Sequence, residues 1–254
     1  IAAMNQHYRR YSFEYFLEVQ QRLGILNMEL WLGPPHFWLD PVCYSDCKAI
    51  KKKISDYGLK VVSVTSPSFA WQYQYASMGE YEFEKSFRYF SNGIRVAAEF
   101  GAKIMTINSG WGYGDEPTGK AFERSVHMIG RLAQVAEKEG IILAMESLTS
   151  LESNIADNIS TAKRIYDDIA HPNLKVMIDT IAAGYAGENM SQWFDTFGKD
   201  LVHMHFVDGD RSDPSEDHLV WGDGDMPLEK EVDCLAHYGY KGYLVQEIAA
   251  DRYL

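Results

Sequence analysis

Short runs rich in β-branched and other apolar residues alternate along this chain with longer stretches of helical period. That alternation predicts repeated βα units around a parallel sheet. The strand runs are Ile1–Asn5, Asn27–Leu32, Lys60–Thr65, Lys103–Asn108, Ile141–Glu146, Lys175–Asp179, Leu201–Val207 and Tyr243–Glu247, eight in all. Amphipathic stretches lie between them at Phe13–Leu23, Ser45–Tyr57, Glu80–Phe100, Lys120–Glu139, Ser160–Ile169 and Leu228–Tyr238. Gly24, Gly58, Gly101, Gly140 and Gly239 each stand between such a stretch and the next strand, where a helix C-cap prefers glycine. The pattern predicts an α/β protein, a single (β/α)₈ TIM barrel over residues 1–254. No Pro/Ser-rich linker, charge block or low-complexity tract marks a boundary within it. A doubly wound open sheet would want a glycine-rich turn after the first strand, and Gln6-His7-Tyr8-Arg9-Arg10 is not one. Seven residues follow Glu247, so the barrel is expected to lack most of its last helix.

The chain's 254 residues suit one such barrel, and 46% hydrophobic residues can supply its core. Charge narrows the partners. With 36 acids against 24 bases the formal charge is −12, which repels nucleic-acid backbones and anionic lipid. The three cysteines, Cys43, Cys47 and Cys234, form no CxxC pair and are expected to be reduced thiols of a cytoplasmic protein. No run approaches eighteen apolar residues, and Ile1 to Asn5 lacks signal-peptide order, so neither membrane nor export is expected.

Barrel enzymes build their sites where strands end. The fifth strand ends on Glu146, the sixth on Asp179 and the eighth on Glu247, and the seventh carries His203 and His205. Alone, any of these is more often a cap or a surface charge than a ligand. Together, three carboxylates and an imidazole at one rim would repel one another unless a cation joined them. The expected cofactor is one divalent metal, Mn²⁺ before Mg²⁺, Co²⁺ or Zn²⁺, because the set is oxygen-rich with a single nitrogen. His203 and His205, two apart on a strand, face the same side; one ligand suffices, and His203 is read as a core histidine rather than as an orienting partner.

The polar loop after the seventh strand runs from Asp208 to Asp225 and offers Arg211 and His218 to a pocket. Asp223 and Asp225 beside Gly222 and Gly224 argue against a phosphate cradle. Aromatics follow the earlier strands: Trp31, Phe37 and Trp38; Phe69 to Tyr75; Trp111 and Tyr113. They could stack on sugar faces or pack the core, and Trp111 is taken as a substrate contact. Lys103 and Lys175 begin their strands, the wrong end for Schiff-base chemistry.

The motifs Glu146-Ser147-Leu148-Thr149 with Glu152-Ser153-Asn154, Met177-Ile178-Asp179-Thr180, His203-Met204-His205-Phe206-Val207-Asp208 and Gln246-Glu247-Ile248 resemble, over nearly the whole chain, those of the xylose-isomerase-like sugar epimerases. Within that group the chain is most like the fructoselysine 3-epimerases and, more distantly, the D-tagatose (D-psicose) 3-epimerases. The resemblance implies metal ligation by Glu146, Asp179, His205 and Glu247, with Glu146 and Glu247 also the acid/base pair. It further implies substrate contacts from Glu152 and Arg211, and a homo-oligomer, dimer or tetramer. The implied reaction is metal-dependent ketose (or fructosamine-type) 3-epimerisation, by removal and return of the C3 proton through a metal-stabilised enediolate. One departure bears on the substrate: the family's histidine three residues after the aspartate ligand is Ala182 here. That favours a substituted or different ketose over free tagatose or psicose.

The same barrel hosts aldose-ketose isomerases, dehydratases and apurinic endonucleases. A nuclease should show a basic groove, which a charge of −12 with eight scattered histidines does not suggest. The aldose-ketose isomerase is the main competing enzyme. A metal-containing barrel that only binds sugar is the non-enzyme alternative, disfavoured because it would not need the acid/base pair.

Overall fold

In a computed structural model describing residues 1–68 and 72–253, eight parallel strands close into a barrel in chain order. They are β1 (Ala2–Met4), β2 (Asn27–Trp31), β3 (Lys60–Thr65), β4 (Ile104–Asn108), β5 (Ile142–Glu146), β6 (Leu174–Asp179), β7 (Leu201–His205) and β8 (Val245–Gln246). Each lies within a residue or two of its expected run. β1 pairs with β8, so the sheet has no open edge.

The helices outside are α1 (Phe13–Leu23), α2 (Cys47–Asp56), α3 (Glu80–Phe100), α4 (Thr118–Glu139), α5 (Ile159–Ile169), α6 (Thr180–Tyr185), α7 (Met190–Phe197) and α8 (Leu228–Tyr238). α1 shows why they form. Ser12 caps its first turn by accepting from Tyr15 N, Phe13, Phe16, Leu17 and Gln20 bury one face, and Gly24 ends it at φ 72°. Gly101, Gly140 and Gly239 end α3, α4 and α8 the same way, while Gly58 takes φ 77° one residue beyond the cap of α2. Burying a side chain such as Phe16 or Leu17 stabilises by about 1.5–3 kcal/mol, so the helix-facing side of the sheet carries most of the core.

Two helices were not expected. α6 and α7 fill the connection from β6 to β7, and α7 begins with a capping box between Asn189 and Gln192. After β8 the described residues form one 3₁₀ turn, Asp251–Tyr253, and no α-helix. Tyr253 and Arg252 bind Asp223, fastening that turn to the β7–α8 loop. No helix among the described residues is long and apolar enough to cross a membrane.

Candidate metal and acid/base centre

The register of the late strands assembles the four expected ligands. Asp179 pairs directly with His205 across β6 and β7, and His205 pairs with Val245, two residues before Glu247. Glu146 ends β5, pairing with Met177, two residues before Asp179. Residues two apart on a strand share a face, so these pairings direct all four side chains inward at the same end of the barrel. One ligand atom from each of Glu146, Asp179, His205 and Glu247 lies within 4.8 Å of the others. His205 Nδ1 is 2.8 Å from a Glu146 oxygen, 2.6 Å from Glu247 and 4.0 Å from Asp179.

Two atoms test whether a cation fits. Asp179 uses Oδ1 to cap α6, accepting from Ile181 N at 2.8 Å and Ala182 N at 2.9 Å, while its buried Oδ2 has no hydrogen-bond partner. His205 Nδ1 is likewise buried and, despite its close carboxylates, makes no aligned hydrogen bond. Orphaned buried polar atoms are costly, and two of them facing carboxylates around one centre match a site for a divalent ion. Ligands of one ion at about 2.0–2.2 Å stand roughly 3–4 Å apart, so the group needs little contraction to bind.

The electrostatics agree. Burial raises Glu146 to about 7, with Glu247 and Asp179 adding to the rise and His205 opposing it. Burial would lower His205, but Glu247, Glu146 and Glu29 hold it well above the usual histidine range. Burial would also raise Asp179, yet His218, His205 and the Ala182 N–H together leave the carboxyl lowered. A divalent ion held among these groups would reverse the directions at Glu146 and His205.

A cavity of about 430 Å³ opens over this centre, within the range of small-molecule sites. Its walls include Trp31, Thr65, Ser66, Ser68, Asn108, Glu152, Ala182 and His218. Glu152 is held by Thr149, whose N–H and hydroxyl both donate to Oε2, and burial raises its carboxyl. His218 Nε2 comes within 3.5 Å of Asp179 Oδ2, with its backbone at φ 48°. The loop carrying it is gathered by Asp208, whose carboxylate accepts from the N–H groups of Gly209, Gly222, Gly224 and Met226. The glycine amides therefore do cradle an anion, but it is the protein's own.

Two expected substrate contacts do not reach this cavity. Arg211 turns outward, its guanidinium forking onto both oxygens of Asp225 at 3.1 Å, the geometry a planar fork prefers. Trp111 packs edge-on against Tyr113 at 5.0 Å and is not a lining residue. Of the other aromatics, Phe37 and Tyr75 are core, Trp38 is 59% exposed, and Phe69 lies outside the described residues. His203 is buried as expected, yet its Nε2 lies 2.6 Å from Glu29, a residue the sequence reading passed over. Glu29 sits inside β2, 0% exposed; burial would raise it, but His203 and His205 bring it far below the usual carboxylate range. The overlooked signal was an acid in the middle of a strand, flanked by the apolar Met28, Leu30 and Trp31.

A family model described as "Xylose isomerase-like TIM barrel" matches residues 17–252. The chain is 26% identical over 241 residues to the fructoselysine 3-epimerase of Shigella flexneri, covering 95% of this chain and 87% of that protein. Among solved structures, the D-psicose 3-epimerase of Clostridium cellulolyticum H10 with D-tagatose superposes with a TM-score of 0.78 at 20% identity, over 96% of this chain and 84% of that one. An IOLI protein with a bound zinc atom gives 0.81 at 14% identity, over 100% of this chain and 91% of that one.

Proposed function

The chain belongs to the xylose isomerase-like TIM barrel family and is an isomerase, and from that premise we propose that it epimerises a ketose at C3 with Glu146 and Glu247 as the acid/base pair. The observation that carries this reading is that the two glutamates, from β5 and β8, come within 2.8 and 2.6 Å of the same His205 nitrogen. Inverting one carbon requires a proton to leave one face and another to arrive on the opposite face. Two carboxyl groups converging from separated strands can flank a sugar carbon in that way. Their roles exchange with the direction of reaction.

Glu146, Asp179, His205 and Glu247 would hold one divalent ion, Mn²⁺ suiting their three carboxylates and one imidazole. Bound there, the ion would supply Lewis acidity to the ketose, which would make the C3 proton easier to remove. The protein's share is positional. Glu152 and His218 reach substrate hydroxyls from one wall, Thr65, Ser66, Ser68 and Asn108 from another, and the Trp31 ring offers an apolar surface to the sugar's C–H face. Ala182, small and 4% exposed, leaves room beside the centre, which favours a substituted ketose such as a fructosamine.

The test is incubation of the Mn²⁺-loaded enzyme with D-fructose, D-tagatose and a fructosamine in D₂O, followed by proton NMR. The expected result is a C3 epimer carrying deuterium at C3. An aldose product would assign the chain to 1,2-isomerisation, and metal and sugar binding without turnover of any of the three would make it a binding barrel.

A further inference from the structure

Glu29 touches no part of the cavity, yet its bonds converge on the one nitrogen ligand of the centre. Its Oε1 lies 3.1 Å from His205 Nε2. Its Oε2 accepts from the Ser63 hydroxyl at 2.5 Å and lies 2.6 Å from His203 Nε2. All four residues lie on strands: β2 gives Glu29, β3 gives Ser63, and β7 gives both histidines. Glu29, His203 and His205 are 0%, 1% and 2% exposed, so bulk solvent does not reach these bonds.

A count of protons decides what this arrangement does. An ionised carboxylate only accepts, so each imidazole must present Nε2–H to it. For neutral His205 that places the lone pair on Nδ1, the atom facing Glu146, Asp179 and Glu247. The trio Glu29, His203 and His205 could be taken for a second metal site, since their ligand atoms also cluster. Two observations oppose it: the Ser63 hydroxyl already donates to the same carboxylate, and neither Glu29 nor His203 lines the cavity through which an ion would arrive.

We propose that Glu29 is a positioning residue, which fixes the ring and tautomer of His205 so that Nδ1 meets the cation with a lone pair, and that His203 and Ser63 hold Glu29 in place. This rests on the four-ligand reading above. A carboxylate behind a metal-bound imidazole sets ring orientation and raises ligand basicity, and its loss typically weakens metal affinity about 10–100-fold. Glu29→Gln keeps the shape but replaces one acceptor oxygen with a donor, forcing one of the two rings into the other tautomer or leaving a bond unmade.

Calorimetric titration with Mn²⁺ reads this without reference to activity. Glu29→Gln should bind Mn²⁺ about 10–100-fold more weakly than the wild type. His203→Phe should weaken it too, while His203→Gln, which retains a donor to Glu29, should stay close to the wild type. Long-range proton–nitrogen NMR of the unmodified protein provides a readout needing no variant, and it should show His203 protonated at Nε2. Mn²⁺ affinity of folded Glu29→Gln within about twofold of wild type, or His203 protonated at Nδ1 instead, would overturn the proposal. If Asp179→Asn bound Mn²⁺ as tightly as the wild type, the four-ligand reading would itself fall, and this proposal with it.

Discussion

Glu247→Gln abolishes epimerisation in both directions, lowering turnover by about 10² to 10⁴, the usual worth of one positioned acid or base. The substitution preserves size and leaves an amide oxygen that can still ligate, so one Mn²⁺ per chain should remain bound. The amide cannot take up a proton at neutral pH. Glu146, 2.8 Å from the same His205 nitrogen, stays competent. Deuterium exchange at C3 should therefore survive, without inversion, only for the epimer whose C–H faces Glu146. NMR of each epimer in D₂O separates these outcomes. Continued interconversion of the epimers at near the wild-type rate would remove Glu247 from the acid/base role.

Asp208→Ala costs at least about 3 kcal/mol of stability and most of the activity, although Asp208 is not a lining residue. The carboxylate, 1% exposed, satisfies four backbone N–H groups spread over residues 209–226. Hydrogen bonds to a charged group are worth about 1.5–3 kcal/mol each, and buried donors left without a partner add their own penalty. For a domain of this size the loss corresponds to a fall in Tm of roughly 6–12 °C. Activity follows because the same loop carries His218 to within 3.5 Å of Asp179. Calorimetric melting and steady-state kinetics check both parts. A variant with unchanged Tm and kcat would show that the loop is held by something else.

The barrel was legible because its signals are local. Short β-branched and apolar runs, helical stripes and C-cap glycines depend on near neighbours, and the strands and six helices fall close to where those signals put them. α6 and α7 were not, because Thr180-Ile181-Ala182-Ala183-Gly184-Tyr185 has too few turns to display a period. Its first turn is capped instead by Asp179, a residue read only as a ligand. The four metal-type residues were found because strand ends in a barrel share one rim, so sequence position alone implied convergence. Glu29 escaped the same rule by lying mid-strand and reaching across the interior to β7, a contact between residues 176 apart in sequence. Arg211 and Trp111 stand on loops, where direction is set by neighbours such as Asp225 and Tyr113 that only the fold brings together.

The proposal that four side chains share one ion is most directly tested by anomalous diffraction at the manganese edge from crystals soaked in Mn²⁺. One strong peak per chain should appear, at about 2.0–2.2 Å from His205 Nδ1 and from an oxygen of each of Glu146, Asp179 and Glu247. A peak seated instead among Glu29, His203 and His205, or no peak at the barrel mouth while the protein remains folded, would contradict the account.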